Sequence, residues 1–247
     1  MDALTIAAAS GLRSRMQSLD LLANNLANSA TNGYKSDREF YGLYASADSL
    51  DADGTGPSST LPVIERQWTD FSQGVIQPTG NPLDASLSGK GFFAVNGTSG
   101  PLYTRNGTFR ILPSGELATN EGYTLRNKKG GTIRVVPQKA ITISSDGTVQ
   151  QEGQSAGQME VVQFPSTAAL RKVGSTCFEN TDPKNRPTAA ADAEVQQGKI
   201  ETSNVPVAEG AMRLVGVMRQ FEMLQKAIGI SSDMDTKSIQ EVARVGS

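Results

Sequence analysis

Histidine is absent from the sequence and cysteine occurs once, as Cys177. The first absence removes the commonest general base and the commonest transition-metal ligand. The second excludes an intrachain disulfide and any multi-cysteine zinc site. Together they exclude Ser-His-Asp and Cys-His nucleophiles, leaving only paired carboxylates or a lysine as formal routes to catalysis. A surplus of charge is lacking too: 23 Lys and Arg stand against 25 Asp and Glu. Without a basic excess, nucleic acid is not an expected partner and anionic lipid exerts no pull. No apolar run is long enough to cross a bilayer, so direct membrane insertion is not expected. The start, Met1-Asp2-Ala3-Leu4-Thr5-Ile6, carries an acid where a secretory signal needs positive charge, and no h-region of the usual length follows. Alone, these features point to the cytoplasm, though not against export by a route that reads no cleaved signal.

What is present falls into three stretches of different period. At the N-terminus Leu4, Ala8, Leu12, Met16, Leu19, Leu22 and Leu26 recur every three or four residues, which predicts a helix from about Asp2 to Asn28 with one narrow apolar stripe. Gly33 after Thr31-Asn32 is a stop signal. At the C-terminus Leu214, Val217, Phe221, Leu224 and Ile228 alternate steps of three and four as an a/d seam, and Pro206 suits the entry to that helix. Between them the period is two, at Tyr103–Arg105, Phe109–Ile111, 133–135, Ile141–Ile143 and 159–161, with turn pairs such as Ser114-Gly115 and Asp146-Gly147. The expected fold is α+β: long N- and C-terminal helices forming a coiled-coil-like helical domain, with an inserted all-β domain of antiparallel sandwich or barrel type. The expected boundaries are 1–35 for the N-terminal helix, 36–79 for a linker or extended segment, 80–195 for the β domain and 196–247 for the C-terminal segment and helix.

Several local patterns suggest chemistry and are better explained without it. Gly89-Lys90-Gly91-Phe92-Phe93-Ala94 spells a dinucleotide fingerprint, but that element must open a helix and this one leads into a strand. Asp51-Ala52-Asp53-Gly54 starts like a calcium loop and lacks the remaining ligands. Asn96-Gly97-Thr98 and Asn106-Gly107-Thr108 match glycosylation sequons, and Asn-Gly is equally a hairpin turn. Cys177, between Thr176 and Phe178, is expected to be a small buried side chain. No catalytic residue, metal or cofactor is expected.

One pattern remains. Ala23-Asn24-Asn25-Leu26-Ala27-Asn28 followed by Thr31-Asn32-Gly33-Tyr34-Lys35 resembles the flagellar rod, hook and hook-associated family. Gly80-Asn81-Pro82-Leu83-Asp84 with Gly89–Phe93, Tyr103-Thr104-Arg105-Asn106-Gly107-Thr108-Phe109, and Gln197-Gly198-Lys199-Ile200-Glu201-Thr202-Ser203-Asn204-Val205 are similar to further elements of that family in the same order. The length is short of the β material a hook protein carries, so the resemblance is to the rod subunits, the proximal one first and the distal one as the alternative.

The resemblance implies a structural subunit without enzymatic activity, exported by the flagellar type III apparatus with no cleaved signal. It implies a homo-oligomer in a helical tube, with other flagellar rod proteins as neighbours in the periplasm-spanning rod, transmitting torque from motor to hook. The expected assembly interface comprises Leu4, Leu12, Leu19, Leu22, Asn24, Asn25, Leu26 and Asn28, then Ser203, Asn204 and Val205, then Leu214, Val217, Phe221, Leu224 and Ile228. In it the apolar residues supply contact and the asparagines supply directional hydrogen bonds. The rival from another class is an extracellular β-rich binding or adhesion module; a carboxylate-dependent hydrolase is weaker for want of an Asp/Glu cluster.

Overall fold

A computed structural model of the chain describes residues 3–45 and 60–245; side chains at 3–8, 41–45, 60–66 and part of 231–245 lie outside that description, as does Asp51-Ala52-Asp53-Gly54, the start of the calcium pattern. The chain forms two compact units: one from residues up to 27, 37–68 and from 206 onward, the other from 28–36 and 69–205.

The first unit holds α1 (Ala3–Ala27), α2 (Val207–Val245) and a two-stranded sheet of β1 (Asp37–Ala45) and β2 (Thr60–Thr69). Residues 36–79, expected from sequence as a linker or extended segment, include β1 and β2. The helices run antiparallel: Gly11 faces Leu224, while Ser18 and Arg213 both reach Glu39. A coiled-coil-like helical domain is not what they form, and the chain as a whole is mostly β. A coiled coil needs large apolar knobs from both partners. Among the described side chains, the buried positions of α1 are instead Gly11, Ser14, Ser18, Leu22 and Asn25, small or polar apart from one leucine. Opposite them Leu214, Val217, Phe221, Leu224 and Ile228 are only half-buried, and no described side chain of α2 is buried.

The second unit is built on β5 (Phe92–Gly97), after β3 (Ile76–Pro78) and β4 (Ala85–Ser88). Its alternation is clean and both faces are covered. Phe93 and Val95 enter a core with Leu87, Phe109, Leu117 and Ile133, whereas Phe92 and Ala94 enter another with Tyr103, Val162, Leu170 and Phe178. Edge-on aromatic pairs knit the second core: Phe71 stands 4.9 Å from Phe178 and Phe164 stands 4.7 Å from Tyr103. β6 (Gly100–Thr104) pairs with β5 as a hairpin; β7 (Phe109–Ile111), β8 (Leu117–Thr119) and β9 (Thr124–Leu125) extend one side. β10 (Ile141–Ile143), β11 (Thr148–Gln151) and β12 (Gln154–Gln158) form a separate antiparallel sheet. β13 (Val161–Gln163) joins β5. β14 (Leu170–Val173) and β15 (Cys177–Asn180) complete the other side of the large sheet, with β16 (Thr188–Ala189) on β13. Last, β17 (Glu194–Gln197) pairs with β4 and β18 (Lys199–Glu201) with β3. The stretch 133–135 is held by one bridge, Glu116 to Arg134, with Ile133 and Val135 turned into the core. Gly89 and Gly91 lead into β5, not into a helix, which removes the dinucleotide reading.

Candidate functional site

Three segments far apart in the sequence meet around one carboxylate in the second unit. The side chain of Glu201, at the end of β18, is fully buried, and so is that of Lys35, on the turn that follows α1. Lys35 Nζ donates to Glu201 Oε1 and, at 2.6 Å, to the Ser72 carbonyl. Arg105, just past β6, donates from Nη1 to Glu201 Oε2 at 3.0 Å and from Nη2 to the Gly89 carbonyl at 2.6 Å. The Gly74 amide donates to Glu201 Oε1 at 2.9 Å, so three donors converge on one carboxylate. Burial lowers the Lys35 pKa against the opposing attraction of Glu201, and burial likewise lowers that of Arg105.

Close backbone approach makes the cluster possible. Gly33 has φ 70°, and its amide donates to the Glu201 carbonyl at 2.7 Å. A Cβ there would lie 2.3 Å from the Asn106 nitrogen, so the turn admits only glycine. Lys172 closes the outer side: its Nζ donates to the Lys35 carbonyl at 2.7 Å and lies 4.3 Å from the Tyr34 ring centroid.

A second set of bonds, free of charge, surrounds Asn204. Its Oδ1 accepts from the Ser36 amide at 2.8 Å, and its Nδ2 donates to the carbonyls of Asp70 at 2.8 Å and Ser72 at 3.1 Å. The Asp70 amide donates to the Ser36 carbonyl at 2.8 Å. One amide side chain therefore ties three chain segments to each other.

In the first unit Asn25 treats β1 as a strand partner would. Its Nδ2 donates to the Asp37 carbonyl at 2.7 Å, and its Oδ1 accepts from the Asp37 amide at 2.9 Å. Ser18 Oγ donates to Glu39 Oε2 at 2.9 Å, and Arg213 of α2 lies 3.9 Å from Glu39 Oε1.

Of the residues expected from sequence, Leu22 and Asn25 are buried, while Leu12, Leu19, Leu26 and Asn28 are half-buried. Asn24 is exposed, and the side chain of Leu4 lies outside the described residues. Asn28 Oδ1 accepts from the Thr31 hydroxyl at 3.3 Å; Ser203 Oγ accepts from the Val205 amide at 3.3 Å. The sequence reading missed Lys35, Arg105 and Glu201 as a set. Each lies inside one of the four quoted motifs, yet nothing in those motifs pairs residues so far apart in the chain. The Lys35 amine and the Arg105 guanidinium are engaged by Glu201 and by backbone carbonyls, and the Lys35 and Glu201 side chains are shut off from solvent. The chemistry of the cluster is that of a clasp.

Comparison with known proteins agrees with that. The family model described as the flagellar hook protein FlgE/F/G D1 domain matches residues 86–151. The one described as the flagellar basal body rod FlgEFG protein C-terminal matches residues 196–241. The chain is 28% identical to the flagellar basal-body rod protein FlgF of Caulobacter vibrioides, over 92% of each chain. It is 30% identical to the flagellar basal-body rod protein FlgG of Bacillus subtilis, over 91% of this chain and 93% of that one. It is also 30% identical to the FlgG of Borreliella burgdorferi, over 92% and 94%.

Proposed function

The chain belongs to the flagellar basal-body rod protein family, and from that premise we propose that it is a structural subunit of the proximal rod, polymerising helically and carrying torque from motor to hook. The observation that carries this reading is the convergence of three of the four family-like motifs, through Lys35, Arg105 and Glu201, on one buried ion-pair cluster that ties the segments together. Relatives aligned over nine-tenths of the chain supply the setting, the flagellar basal body, where other rod proteins are its neighbours. They give no support to an adhesion module. Among the described residues no helix is long and apolar enough to cross a membrane. Export through the flagellar type III apparatus, without a cleaved signal, is part of the proposal. So is assembly with copies of itself through Leu12, Leu19, Leu22, Leu26 and the α2 residues from Leu214 to Ile228. The alignment with the Caulobacter vibrioides FlgF over 92% of each chain supports the proximal position, and the FlgG relatives keep the distal one as the alternative.

The test is direct. An epitope-tagged chain replacing the native one is expected to co-purify with isolated basal bodies, and its deletion is expected to give non-motile cells that build no hook. Basal bodies that lack the tag, in cells that swim normally, overturn the proposal.

A further inference from the structure

The contact between α1 and α2 is thin. Among the described side chains Leu22 is the one large apolar group of α1 that is buried, and none of α2 is buried. Helices with so little to pack on are marginal in water. They are also remote in sequence. About 180 residues lie between the end of α1 and the start of α2, and closing so long a loop opposes pairing.

The second unit shortens that route. Gly33, shortly after α1, donates its amide to the carbonyl of Glu201, shortly before α2, at 2.7 Å. The same two segments are joined by the Lys35–Glu201 ion pair, by the Asn204 amide on the Tyr34 carbonyl at 3.4 Å, and by the Ser36 amide on Asn204 Oδ1 at 2.8 Å. Two turn bonds, Thr31 amide to Asn28 carbonyl at 3.0 Å and Tyr34 amide to Thr31 carbonyl at 3.2 Å, keep the stretch from α1 to Gly33 compact. Through the Gly33–Glu201 bond the path between the helices is about twelve residues in place of about 180. Closure becomes easier as the three-halves power of that ratio, about sixtyfold. A short connection makes helix neighbours antiparallel, and α1 and α2 are antiparallel.

We propose that the second unit is a staple for the terminal helices, doing without a covalent bond what a disulfide does in other domains. The pair then forms after the β unit has closed, because the short path exists only once β18 has met β3 and Glu201 has met Gly33 and Lys35. The staple acts within one subunit, whatever that subunit joins.

Lengthening the path tests this with every bond of the staple left in place. An insert of about 24 Gly and Ser residues between Val205 and Pro206 makes the path about three times longer, so pairing is expected to weaken about fivefold. Without a staple the same insert would change a loop of about 180 residues, and the pairing with it, by a factor of about 1.2. Amide exchange on the soluble full chain reads the difference. About fivefold less protection is expected in α1 and α2, with β5 and β6 unchanged and the same insert after Ser247 as the control. Protection of the helices changed by less than about twofold, or lost equally from β5 and β6, overturns the proposal. So does free exchange in both helices of the unaltered chain. Pulsed exchange during refolding reads the order. The Gly33 and Thr202 amides, which donate to the carbonyls of Glu201 and Val75, are expected to be protected before those of α1 and α2. Helices protected first, or at the same moment, overturn it.

Discussion

At the scale of single residues, the clasp makes an asymmetric prediction. Glu201 faces two buried cations, Lys35 and Arg105, and the Arg105 Nε is itself buried without a partner among the described residues. E201Q removes the one carboxylate that both buried cations contact, a change worth about 3–5 kcal/mol, or roughly 10 °C in the melting temperature of a domain this size. K35M leaves Glu201 still held by Arg105 and the Gly74 amide, so about 1–3 kcal/mol is expected. Calorimetry showing the lysine variant to be the weaker of the two would sink this account. Cys177 gives a pH dependence. Burial, with Glu121 nearby, pushes its thiol from 9.0 up to about 11. Below 9.0 both folded and unfolded chains keep the proton. Between 9.0 and about 11 the unfolded chain releases it and the folded one does not, so stability is lost as the pH rises through that window, by about 2–3 kcal/mol at most. Lys35, with its pKa lowered, acts in the opposite direction as the pH approaches 10.5, which is why the comparison must be with C177A. Denaturant curves for the two proteins are expected to run parallel below pH 9 and to separate above it; parallel curves throughout would mean the thiol is not held protonated.

At the scale of elements, α2 is the place to intervene. Phe221 and Leu224 are half-buried, and Leu224 meets Gly11 on α1. F221D/L224D places two carboxylates at a helix contact, where burial without partners costs several kcal/mol. Loss of helical circular dichroism and of protection in α1 and α2 against amide exchange is expected, with the melting of the β unit displaced by less than about 2 °C. Unchanged exchange in both helices would show that this side of α2 does not hold the pair. The elements were readable to different depths. Phe92 to Val95 alternate into two cores, and Ile141 with Ile143 face one of them, because period two is written locally. The coiled-coil-like domain was misread because the leucines of α1 mark a stripe, whereas Ser18 and Asn25, polar by type, take buried places by bonding Glu39 and the Asp37 backbone. Nothing in local periodicity announces a strand running beside a helix. The clasp was illegible for a related reason: Lys35 and Glu201 are 166 residues apart, and only the folded sheet makes them neighbours.

At the scale of the whole molecule, the two units share one chain that passes between them after residues 27, 36, 68 and 205. A chain stopped after Val205 keeps Glu201 and Asn204, so its β unit is expected to melt within about 2 °C of the full-length value while failing to enter basal bodies. A chain stopped after Gly198 loses both side chains and β18, and its β unit is expected to melt at least 10 °C lower, given about 3–5 kcal/mol for the buried charges alone. Equal melting of the two truncations would remove the clasp from any structural role. The position of Asn204 has a mechanical corollary. Tension arriving along the backbone at Ser36, at Asp70 or beyond Val205 enters a knot of bonds that joins all three lines. A pull on one line is shared with the other two before any single bond carries it alone. Bonds loaded together in this way resist stepwise peeling, since no one of the three segments can leave its neighbours one bond at a time.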